Sequence, residues 1–140
     1  MPKIPYPPAL SRKVQAWVNV VVVLCAVLMG AGAVIAAVNP GLLVGPHVEI
    51  NQAVRTYAGY LTARNLVLAL MLLILLLVGA RRALGNLVAI VGLIQLFDFV
   101  VDCAEARWSV AAGVLVLGIA LLVASARLAG APLWKREAWR

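Results

Sequence analysis

The sequence predicts an all-α fold, an integral membrane up-down four-helix bundle. Three observations predict it. Of the 140 residues 65% are hydrophobic and only 12% charged, about half the charged share of a soluble domain. The apolar residues fall into four runs, each at least the ~20 residues that a helix needs to cross ~30 Å of hydrocarbon. Basic residues gather at the ends of those runs, where they set membrane orientation. The net charge of +7 therefore does not point to nucleic acid, and no aromatic-basic interleaving of the kind that single-strand binding uses is present.

Residues 1–13, rich in proline and basic, read as a cytoplasmic lead. The transmembrane domain covers 14–128. Its first span, about 14–38, ends at Asn39-Pro40-Gly41, since proline and glycine stop helices. A cleaved signal peptide is the competing reading, but the apolar stretch exceeds the usual core of about 7–15 residues. Small residues Gly30, Gly32, Ala33, Ala36 and Ala37 permit close helix packing here. An outer segment with a turn at Gly45-Pro46 and the solvated His47 leads to span two, about 51–80. Arg81-Arg82 separates it from span three, about 83–105, and span four covers about 108–128. A cytoplasmic tail, 129–140, follows. Short connections make consecutive spans antiparallel neighbours.

Lys3, Arg12, Lys13, Arg81, Arg82, Arg127, Lys135, Arg136 and Arg140 fall on one side, and Arg55 and Arg107 on the other. Both termini are therefore expected in the cytoplasm, with the protein in the inner (plasma) membrane. Trp17, Trp134 and Trp139 then mark the inner interface and Trp108 the outer. Gln15, Asn19, Asn86 and Ser125 are expected to cap or to hydrogen-bond across helices. Cys25 and Cys103 differ too much in depth for a disulfide, and no spacing suggests a metal, nucleotide or other cofactor site.

Span three carries Gln95, Asp98, Asp102 and Glu105. At 100° per residue they share an arc of roughly 80°. Intramembrane acids are costly and tend to face a bundle interior or a cavity. Span two has two polar arcs in its outer half. Tyr57, Tyr60 and Arg64 form one; Asn51, Arg55, Gly59, Thr62 and Asn65 form the other. Arg64 lies 17 residues before Arg81 and Asp98 lies 16 after Arg82, so both are about 25 Å from the shared turn. An Arg64–Asp98 pair is expected on that ground. One arginine does not neutralise two buried carboxylates, so Asp102 is expected to be hydrated or to hold a proton. A protonated carboxylic acid in an apolar pocket is a general acid.

The runs Ala63–Leu66 (ARNL), 81–85 (RRALG) and 95–98 (QLFD) resemble a class of small four-helix bacterial membrane proteins of unknown function, loosely DoxX-like. The resemblance covers roughly 14–128. It implies a four-helix membrane domain and no particular activity. Membrane-embedded terpene cyclases and epoxide-opening enzymes are similar in chemistry only, through carboxylates inside a helical bundle.

Two functions follow as expectations. The first is a cofactor-independent intramembrane isomerase, cyclase or epoxide hydrolase acting on a lipophilic small molecule. Asp102 would be its acid, Asp98 its base or charge partner, and Arg64 would stabilise negative charge. Tyr57, Tyr60, Asn65 and Gln95 would bind substrate in an outer-half cavity. The second is a non-enzymatic membrane component, an accessory subunit or small carrier, with Arg64–Asp98 as a structural ion pair. Small multidrug carriers have a glutamate in the first helix, and span one has no acidic residue. A homo-oligomer or a partner membrane subunit fits either reading.

Overall fold

A computed structural model describes residues 11–44 and 48–139. The lead before residue 11, the Gly45-Pro46 turn and His47 lie outside the described residues. The protein is all-helical. Helices α1 (Arg12–Val38), α2 (Gln52–Val78), α3 (Arg81–Ala104) and α4 (Trp108–Ala129) are each long and apolar enough to cross a membrane. A 3-10 turn at Pro40–Leu42 follows α1, and another at Arg136–Trp139 closes the described chain.

The valine-rich start of α1 is a poor helix former in water. In hydrocarbon, however, unpaired backbone polar groups cost several kcal/mol each, and the helix satisfies them internally. The α1 helix stops where Asn39 precedes a proline, a position biased away from helical backbone. Asn39 accordingly has φ −145° and ψ 78°, and Pro40 opens the 3-10 turn.

The break between α2 and α3 differs from the expected one. Arg81 and Arg82 are the first residues of α3, not a connecting loop. Gly79 ends α2 instead, with a left-handed φ of +72°. Its amide donates to the Leu76 carbonyl at 3.2 Å and the Ala80 amide to the Leu75 carbonyl at 3.1 Å. These two bonds form a Schellman cap, the arrangement that glycine favours at a helix C-terminus. Gly130, at φ +68°, ends α4.

The chain divides into two compact units. One comprises Met1–Val22 and Leu75–Arg140, the other Val23–Ile74. In the first unit α3 and α4 form an antiparallel hairpin with a seam of small residues. Gly92 and Gly118 oppose each other at its centre, and Gly85 packs against Leu128. Leu84, Val88, Ala89 and Val91 of α3 and Ala111, Leu121 and Ala124 of α4 are buried. The Ser125 hydroxyl donates to the Gly85 carbonyl at 2.7 Å, a bond across helices as the sequence suggests. Gln15 behaves differently. Its side-chain amide donates to Asn19 Oδ1 at 2.8 Å, one turn along α1 itself.

In the second unit the end of α1 runs antiparallel to the start of α2. Ala33 and Ala36 are buried on α1, and Ala58, Ala69 and Leu72 on α2. Thr62 Oγ1 lies 3.2 Å from the Ala33 carbonyl and 2.8 Å from that of Ala58. Asn65 covers Gly32, its Nδ2 3.6 Å from where a β-carbon there would sit. Cys25 is buried and Cys103 half-buried, both as free thiols.

Candidate functional site

Helical geometry decides which polar arc of α2 turns inward. Ala58, Thr62, Asn65, Ala69 and Leu72 fall within about 80° of one another, and this stripe packs on α1. Tyr57, Tyr60 and Arg64 lie roughly 100–160° away from its centre. Tyr57 and Tyr60 are accordingly 77% and 72% exposed. Arg64 is also exposed, and its Nε donates to Asn65 Oδ1 at 3.3 Å. Asn65 is half-buried against α1.

The other polar arc of α2 lines a groove of about 280 Å³ within the second unit. Ala36, Ala37 and Pro40 form one side; Arg55, Ala58, Gly59, Thr62 and Ala63 form the other. The floor is small and apolar. Arg55 is exposed and forms no ion pair with a described residue. Nothing lies within 4 Å of a β-carbon built on Gly59, so the groove is open there. Among the groove residues the sequence reading places Arg55, Gly59 and Thr62 on a shared arc but not at the site. The alanines beside them carry the missing signal, because only small side chains leave room next to a cation.

In the first unit, Gln95, Asp98, Asp102 and Glu105 follow the expected spacing along α3. Their arc is centred roughly 100° from the Gly85–Gly92 line that meets α4. The stripe therefore flanks the hairpin seam. Gln95 and Asp98 are half-buried, Asp102 is 7% exposed and Glu105 is open. Glu105 follows the last helical residue.

Asp102 has a partner that sequence reasoning overlooks. Arg107 Nη1 lies 3.4 Å from Asp102 Oδ1, and the Arg107 amide donates to the Asp102 carbonyl at 2.8 Å. A reversal of the backbone at Ala106, φ 56°, brings Arg107 back over the last turn of α3. This is a left-handed position that glycine ordinarily takes. The local signal is the five-residue separation of a carboxylate and an arginine across a helix end. Asp102 thus has a cation of its own, which the expectation of one arginine against two acids leaves out. Arg64 belongs to α2 of one unit and Asp98 to α3 of the other.

Among the described residues no group of three His, Cys, Asp or Glu side chains could hold a metal ion. No protein-family model, curated protein or solved structure matches the chain.

Proposed function

We propose that the chain is a non-enzymatic component of the plasma membrane that binds a lipophilic anion, in the manner of a small carrier. The single observation behind this reading is the groove between the end of α1 and the start of α2. It combines an alanine- and glycine-lined floor with Arg55, which has no acidic partner among the described residues. Its volume of about 280 Å³ is just below the range of pockets for whole drug-sized ligands, about 300–1,000 Å³. It would hold a carboxylate head and the first carbons of an acyl chain, the rest remaining in the bilayer. Thr62, already bonded to backbone, would contribute its methyl group to the wall.

Two observations weigh against the acid–base enzyme. Asp102 is ion-paired with Arg107, and no carboxylate lines the groove. The excess of basic residues at one set of helix ends supports cytoplasmic termini, with Arg55 and the groove then on the outer side.

A photoreactive diazirine fatty acid tests the proposal on the full chain in nanodiscs. Labelling should map to residues 55–63, and a diazirine alkylamine of equal length should not label there. Gly59→Leu fills open space without a clash and should abolish the labelling, as should Arg55→Gln. Equal labelling by acid and amine, or unchanged labelling in both variants, overturns the reading.

A further inference from the structure

A second groove lies in the other unit, at the opposite end of α1. It has a volume of about 300 Å³ and is lined by Lys13, Val14 and Trp17 from α1 and by Val123 and Arg127 from α4. Lys13 and Trp17 are one turn apart on α1, as are Val123 and Arg127 on α4, so each pair shares a helix face. The first turns of α1 and the last turns of α4 line one groove. The two cations therefore lie at the same, terminal end of the groove. Trp17 and Val123 lie about 6 Å further along their helices. Charge thus lies at the surface end of the groove, and an aromatic ring and aliphatic carbon lie one turn deeper, the polar-to-apolar order of a lipid.

The charge around this groove is one-sided. Neither Lys13 nor Arg127 forms an ion pair with a described residue. Arg12 precedes Lys13, and Lys135 and Arg136 follow α4. Of the five acidic residues, Glu49 precedes α2 and Asp98, Asp102 and Glu105 lie toward the end of α3. Only Glu137 falls near the end of α4 in sequence. Lys13 and Arg127 by themselves read as ordinary signals of topology. What distinguishes them is that two helices converge their cations on the mouth of one apolar groove with a tryptophan inside it. Trp17 is 40% exposed and presents its ring to whatever occupies the groove.

We infer that this groove is a docking site for an anionic phospholipid of the adjoining leaflet. The phosphate would sit between the Lys13 ammonium and the Arg127 guanidinium, and the glycerol esters and the start of an acyl chain beside Trp17 and Val123. Basic pockets between helices at a membrane surface recognise anionic headgroups in this way. The site is independent of the Arg55 groove and uses none of its residues.

Native mass spectrometry of the full chain tests the inference, with the protein released from nanodiscs of equal phosphatidylglycerol and phosphatidylcholine content. The wild type should retain phosphatidylglycerol in preference to phosphatidylcholine. Each surface cation contributes about fivefold to binding an anionic lipid, so Lys13→Gln with Arg127→Gln should reduce retention roughly 25-fold. The charge-preserving pair Lys13→Arg with Arg127→Lys should retain it, which separates lost binding from lost folding. Lys135→Gln with Arg136→Gln removes the same charge outside the groove lining and should reduce retention far less. Three results overturn the site: equal retention of both lipids by the wild type, an equal loss in the two glutamine pairs, or displacement of the lipid by millimolar inorganic phosphate. The last would mean that a free phosphate, not a lipid, is the ligand.

Discussion

Gly92 of α3 and Gly118 of α4 meet so closely that a β-carbon built on either lies 3.3 Å from the other's carbonyl oxygen. The contact is reciprocal and involves backbone, which cannot rotate away as a side chain can. On Gly92 a β-carbon also meets Leu122 at 3.1 Å, and on Gly118 it meets the Gln95 β-carbon at 3.2 Å. In hydrocarbon, helices associate through such close packing of small residues, because lipid removes the hydrophobic drive between them. Gly92→Ala and Gly118→Ala should each destabilise the hairpin by about 1–3 kcal/mol, the usual cost of overpacking. Gly113→Ala is the control, since open space surrounds that position and alanine is the better helix former by about 1 kcal/mol. Detergent-unfolding midpoints should fall for the first two and hold or rise for the third. A rise in all three would show that the helices do not approach at this seam.

The Ser125–Gly85 bond allows a finer test of the same hairpin. The hydroxyl is buried, 1% exposed, and donates to a carbonyl already engaged in α3. Interhelical side-chain bonds in membranes average about 0.6 kcal/mol. Ser125→Ala should therefore lower stability by about that amount. Ser125→Val should cost more, because its extra methyl group enters the region where Gly85 and Leu128 already meet. If valine is tolerated better than alanine, this end of the hairpin is loosely packed.

Much of the fold is legible in the sequence because hydrocarbon imposes one rule on every span. Length and hydropathy identify the four helices, and Asn39-Pro40 marks the end of α1. The α2–α3 break is read less well. The paired arginines suggest a loop, whereas Gly79, the residue able to adopt a left-handed cap, ends α2 three residues before Arg82. Arcs on α2 are legible from spacing, but spacing does not say which arc a neighbour covers. That choice follows from side-chain size: Ala58, Thr62 and Ala69 let α1 approach, while Tyr57 and Tyr60 do not. The small residues Gly85 and Gly92, and Ala111, Gly118 and Ser125, recur at intervals of seven. This recurrence carries the α3–α4 seam, though hydropathy does not distinguish it from the rest of the run.

Ala106 holds a backbone conformation that costs an L-residue about 1–2 kcal/mol. Glycine would avoid that cost but has more unfolded freedom to lose, about 0.5–1 kcal/mol. Ala106→Gly should accordingly stabilise the protein slightly, by up to about 1 kcal/mol. Ala106→Val should destabilise it more than a typical turn substitution, since a branched β-carbon worsens the left-handed contact. Thermal unfolding in detergent resolves both. A lower midpoint for the glycine variant would mean that residue 106 is not left-handed.

The Asp102–Arg107 pair joins a carboxylate that is 10% exposed in its side chain to a guanidinium that is 41% exposed. Solvent screens the arginine, so the pair is weaker than a fully buried one, and exposed pairs contribute about 0.2–1 kcal/mol. Burial of the acid raises the cost of leaving it alone. Arg107→Gln should therefore lower stability by about 1–2 kcal/mol and Asp102→Asn by less, because asparagine carries no charge to strand. Arg107→Gln added to Asp102→Asn should have little further effect. A double-mutant cycle reads this directly as a coupling energy, which should shrink as salt is raised. If the cycle shows no coupling, the pair is not formed. If Asp102→Asn is fully stable and yet abolishes conversion of a lipophilic epoxide or alkene, Asp102 is an acid catalyst and the carrier reading fails.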